Sequence, residues 1–142
     1  MQFKEIRISS VRRMDFAQEG RSISQRQSIW LFPNGTLQFL EDDQSGYIYR
    51  KWEMTLGRLR RFLVFRMIDR MLQCDIRDSG DEENYWTISA RTGRTTYTQE
   101  GSLGDDYVTS FYSASQLLRF LLPVRDLFLF DDDGYVEDEE AG

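Results

Sequence analysis

With 142 residues, 40% hydrophobic and 14% aromatic, the chain is long enough for one hydrophobic core and too short for two ordinary ones, and its apolar share separates it from disordered sequences. It has no histidine and a single cysteine, Cys74, which excludes an internal disulfide, a Cys/His metal cluster and histidine-activated nucleophiles. Its net charge of −6 conceals an asymmetry: residues 1–72 carry 13 basic and 8 acidic side chains, residues 73–142 carry 5 and 16.

In chain order, "QFKEIRIS" places Ile6 and Ile8 on one face and reads as a first strand. "VRRMDFAQEGRS" reads as a basic bend or irregular connection. "QSIWLF" and "TLQFL" flank "PNG", where Pro33 presets a turn dihedral and Gly35 accepts positive φ, so a hairpin is expected. After the acidic turn "EDDQSG", the alternation in "YIYRKWEM" predicts another strand, with Tyr47, Tyr49 and Lys51 on one face.

The spacing of Leu56, Leu59, Leu63, Met67 and Met71 predicts a helix over about 55–73, with Thr55 as N-cap. Phe62, Val64, Phe65 and Ile68 widen its apolar face, which points to burial on two sides or to a homodimer interface. "FLVF" is also compatible with a strand by local propensity.

The second half repeats this order: strand "ENYWTIS", turn "ARTGR", strand "TTYTQ", turn "EGSLGDD", strand "YVTSFY" and a helix over about 115–122. Ser113-x-x-Gln116 has capping-box spacing, Pro123 ends the helix, and "VRDLFLF" reads as a last strand. Gly35 and Gly93, Phe39 and Tyr97, and Arg61-Phe62-Leu63 and Arg119-Phe120-Leu121 recur at one interval. Trp30 and Trp86 nearly share it and are expected in equivalent buried places.

These elements predict an α+β fold, with duplicated βββα units forming an antiparallel sheet and two helices on one face. One globular domain would span 1–130, as pseudo-repeats of about 1–73 and 74–130. Residues 131–142, "DDDGYVEDEEAG", carry seven carboxylates and no base and are expected to form an acidic disordered tail, possessing too little apolar surface to fold alone.

The order of elements resembles that of PUR-repeat proteins and, more distantly, the whirly fold. "TGRTTY" at 92–97 is similar to the glycine-arginine-aromatic strand start of a PUR repeat, whereas "NGTLQF" has Thr36 in place of the arginine. The resemblance implies single-stranded nucleic acid bound on an exposed sheet face.

Residue chemistry points to a binding protein and not an enzyme. Asp42-Asp43, Asp105-Asp106 and Asp81-Glu82-Glu83 sit in expected turns, and no phosphate-loop motif occurs. The tail overlaps a calcium-loop pattern, but the first ligand position falls on Leu129, so neither metal nor cofactor is expected.

Sixteen of the 18 basic residues are arginine, whose planar fork binds phosphate with two hydrogen bonds. The expected nucleic-acid contacts are Arg12, Arg13, Arg26, Tyr47, Tyr49, Lys51, Arg91 and Arg94, with arginines along the strand backbone and bases stacked on rings. The tail would act as an intramolecular competitor for that site. The alternative is an immunity, inhibitor or adaptor protein whose acidic C-terminal half takes a basic protein partner. Charges at Lys4, Glu5 and Arg7 interrupt the start, unlike a signal peptide, no window approaches 18 apolar residues, and the lone thiol suits a cytoplasmic setting.

Overall fold

The computed structural model of the chain describes residues 2–74, 83–104 and 109–130. Six strands, β1 (Glu5–Phe16), β2 (Arg21–Leu31), β3 (Thr36–Asp42), β4 (Ile48–Thr55), β5 (Tyr85–Arg91) and β6 (Thr96–Ser102), form one antiparallel sheet in the order β4-β3-β2-β1-β5-β6. Helix α1 (Arg58–Leu72) connects β4 to β5, and α2 (Thr109–Leu121) follows β6. This is an α+β fold, and both helices contribute to the core that the sheet forms on one side.

Alternation along the strands creates that core. Ile8 lies between Ile29 and Ile88 in register, and Ile6 between Leu31 and Ala90, all buried. Val64, Met67, Ile68 and Met71 of α1 and Phe111, Ala114, Leu118 and Leu121 of α2 complete it. Trp86 stacks on Phe111 at 5.1 Å and meets Phe130 edge-on at 5.1 Å. Each fully buried large side chain contributes about 1.5–3 kcal/mol through burial.

The Pro33 hairpin forms as the turn residues dictate. Phe32 N donates to Thr36 O (3.0 Å), and Gly35 adopts φ +94°. A Cβ there would stand 3.0 Å from Leu56 O and 3.3 Å from Arg61 Nη1, so the turn lies against α1 only because the residue is glycine.

Several expectations are corrected. Residues 11–22 are not a bend: β1 runs on to Phe16, a short 3-10 turn follows at Ala17–Glu19, and β2 begins at Arg21. Cross-strand pairs such as Arg12 with Gln25 and Asp15 with Ser22 hold these polar residues extended. The outermost five pairs project beyond the paired parts of β3 and β5 as a two-stranded ribbon.

Helix α1 starts at Arg58 with Gly57 as N-cap, because Thr55 is the last residue of β4. The expected strand "YVTSFY" is helical from Thr109; its first two residues lie outside the described residues. Phe111, Ala114, Ser115, Leu118 and Leu121 share the buried helical face. "VRDLFLF" forms turns and no strand: Phe128, Leu129 and Phe130 are all buried, but Asp126 and Phe130 take positive φ, which breaks the extended conformation.

The tryptophans are not equivalent. Trp86 is fully buried, but Ile29 and Leu31 point inward, so Trp30 falls on the opposite, open face, where Arg7 lies 5.2 Å above its ring. A unit of four strands and a helix is thus followed by two strands and a helix, and the repeat is visible only loosely. The expectations for residues 131–142 fall outside the described residues. Among those described, no helix is long and apolar enough to cross a membrane.

Candidate nucleic-acid interface

Helix α1 is amphipathic in an unusual sense. Its buried face carries the core residues, whereas its outward surface carries Arg58, Arg60, Arg66 and Arg70 together with Leu59 and Phe62. Phe62 is 58% exposed and stands one turn from Arg58 and one from Arg66, since residues four apart share a helix face.

Beside it runs a groove of about 590 Å³ lined by Pro33, Arg58, Arg61, Phe62, Phe65 and Arg66, with Asp69 as its one carboxylate. Arg61 Nη1 donates to Pro33 O (3.3 Å), tying α1 to the β2–β3 turn. Pro33 and Phe65 also line a second hollow of about 940 Å³, together with Phe3, Lys4, Gly93 and Tyr97, so the two adjoin. The combined groove has cationic sides and an aromatic floor, in which Phe3 meets Phe65 edge-on at 6.4 Å.

The eight residues expected to bind nucleic acid do not share one surface. Arg12 lies on the helix-facing side of β1, nearly buried, 4.3 Å from the Phe128 ring, with Nε donating to Gln25 Oε1 (3.0 Å). Arg13 bonds Asp15 and Glu83, each at 2.9 Å, and these hydrogen bonds raise the pKa of its guanidinium further. Arg26 grips Asp42 with two bonds of 3.0 and 2.8 Å, with the same effect on its pKa.

Tyr47 and Tyr49 are both exposed, with ring centroids 4.9 Å apart. Because Arg50 pairs with Glu41 and Ile48 with Asp42, Tyr49 is the extra residue of a β-bulge. Desolvation and the nearby Asp43 raise its pKa. Lys51 is exposed on edge strand β4. Arg91 lies 3.6 Å from Glu5, and Arg94 is exposed at the tip of the β5–β6 hairpin.

By register, Arg26 pairs beside Val11 and Arg91 beside Glu5, which separates the two groups by roughly 20 Å along the sheet. Only Arg91 and Arg94 border the α1 groove, flanking Thr92 and Gly93 of its lining. Sequence reasoning missed Arg58, Arg61, Phe62 and Arg66. The signal was available: arginine, phenylalanine and arginine recur at a four-residue interval, but periodicity alone counted Phe62 as core.

A second polar centre lies under the other end of the sheet. Glu41, 5% exposed, accepts from Arg50 Nε (2.7 Å) and from the side-chain amides of Gln25 and Gln27. Gln27 also donates to Asp126 O (2.9 Å) and accepts from Phe128 N (3.0 Å), while Arg50 donates to Arg125 O (3.0 Å). These bonds anchor the strap after α2 to the sheet and satisfy a buried carboxylate, which is structural work. The chain matches no protein-family model and no curated protein.

Proposed function

We propose that the chain is a non-enzymatic binding protein that holds single-stranded nucleic acid along the α1 groove. The observation that carries this reading is Phe62, exposed between Arg58 and Arg66 over an aromatic floor that continues to Tyr97. Guanidinium groups take the phosphates, and the rings stack bases that a duplex would keep paired. The reading retains the ligand class implied by the PUR-repeat resemblance and moves its place from sheet to helix. On the open sheet face Arg13, Arg26 and Arg91 already face carboxylates.

Fluorescence polarisation of labelled single-stranded DNA and RNA tests it. Three phosphate contacts give a slope near −2 in log affinity against log salt, or about a twentyfold loss between about 50 and 200 mM. Phe62→Ala is expected to weaken binding by about 1–3 kcal/mol. Absence of binding by either polymer at low salt, or an unaltered affinity in Phe62→Ala, overturns the reading.

The protein-partner alternative is supported by α2. Tyr112, Leu117 and Phe120, the last 83% exposed, project from a helix whose only charged side chain is Arg119. We assign self-association to this face and not to arginine-lined α1, where like charges repel. Light scattering at high concentration is expected to give a dimer for the native chain and a monomer for Phe120→Asp. A native monomer removes the assignment and leaves α2 to a different partner, basic if the acidic total steers it.

A further inference from the structure

The arginines of α1 differ from most of those on the sheet. Arg13, Arg21, Arg26, Arg50 and Arg91 each face a carboxylate. Among the described residues none of Arg58, Arg60, Arg61, Arg66 and Arg70 forms an ion pair, and Asp69 is the only acid in the helix. The helix therefore presents a net charge of +4 beside an exposed phenylalanine. A surface of this kind attracts a polyanion whether or not nucleic acid is present.

The chain carries such a polyanion. Residues 131–142 hold seven carboxylates and no base, with Tyr135 and Val136 between two acidic groups. Their starting point is fixed: Phe130 packs on Trp86 and Phe111, and its carbonyl accepts from Gly104 N (3.4 Å). Trp86 belongs to β5. The C-terminal end of α1 lies over the adjacent β6, where Gln99 Nε2 donates to Leu72 O (3.3 Å) and Cys74 O (2.7 Å). Twelve residues span up to about 40 Å, against roughly 22 Å for the 15 residues of α1, so the whole length of α1 is within reach.

We propose that residues 131–142 occupy the arginine face of α1 when no ligand is bound. Their carboxylates face Arg58, Arg66 and Arg70, with Tyr135 and Val136 against Phe62. An incoming polyanion must displace this segment, which makes it an intramolecular competitor. The inference depends on the nucleic-acid reading only in naming that competitor.

The test uses the full chain and no nucleic acid. Phenylglyoxal, an arginine-selective dicarbonyl, is applied to the native chain and to a full-length variant with Asp→Asn or Glu→Gln at all seven positions, and modification of each arginine is followed by peptide mass spectrometry. At low salt Arg58 and Arg66 are expected to react about fivefold more slowly in the native chain, given millimolar effective concentration of the tethered segment. Raising salt to about 0.5 M, where screening acts within a few ångströms, should remove the difference in the native chain itself. Arg7, on the open sheet face, should react equally in both chains. Equal rates at Arg58 and Arg66 in the two chains overturn the proposal.

Polarisation with a labelled single strand then separates the two readings. Tighter binding by the neutralised chain supports both. Failure of either chain to bind, with the protection difference intact, removes the nucleic-acid reading and leaves this inference standing.

Discussion

What a guanidinium faces decides what each arginine does in this chain. Arg26 and Arg50 close salt bridges to Asp42 and Glu41 across the sheet, and Arg7 covers Trp30. The tryptophans show the same dependence on surroundings. Trp86→Ala is expected to cost about 3–5 kcal/mol in denaturant unfolding, as for other core aromatics, whereas half-buried Trp30→Ala should cost clearly less. Equal losses would mean that the open face is covered in solution.

Asp43 supplies a pH signal. Its Oδ1 accepts from Ser45 N, Ser45 Oγ and Tyr47 N, and the Ser45 bonds, first that from the hydroxyl, lower its pKa below 3.8. A depressed carboxyl stabilises the fold above its unfolded value and loses that contribution as pH falls through its folded value. The melting temperature of the native chain should therefore fall faster below about pH 4 than that of Asp43→Asn. Parallel pH profiles would exclude this role for the loop carboxylate.

At the scale of elements, the strap after α2 depends on β2, β3 and β4 through Gln27, Glu41 and Arg50. Glu41→Ala removes the buried acceptor shared by Arg50, Gln25 and Gln27 and is expected to cost about 1–3 kcal/mol in urea unfolding. A loss below about 1 kcal/mol would show that the strap holds by apolar contact alone. Much of this architecture was legible because turn chemistry is local: "PNG" and "ARTGR" marked the β2–β3 and β5–β6 hairpins, and alternation marked the strands they join. The extension of β1 to Phe16 was hidden because its polar residues are extended only by pairing with β2. The start of α2 was hidden because Val108, Ser110 and Tyr112 imitate a strand. Arg91 and Arg94 at the groove were legible from the hairpin, whereas Phe62 was misassigned because a helix does not announce how much of its apolar surface the sheet will cover.

At the scale of the whole molecule, the net charge of −6 is the sum of separate fields. The +4 helix, the outer face of α2 with Arg119 as its one charge and the charge-paired sheet face are different surfaces. Strand order has a further consequence, for the sequence of events in folding. β1 is central, yet its two neighbours are made at very different times: β2 follows immediately, whereas β5 arrives only after β3, β4 and α1. During synthesis β1 to β4 can close as a meander of neighbouring strands while the far edge of β1, through Ile6, Ile8 and Val11, waits unpaired for residues 85–91. Long-range pairing is slow, and an apolar strand edge left open invites another chain. A nascent chain stalled after α1 should therefore associate with its copies, and release of β5 and β6 should end that association by filling the edge from within.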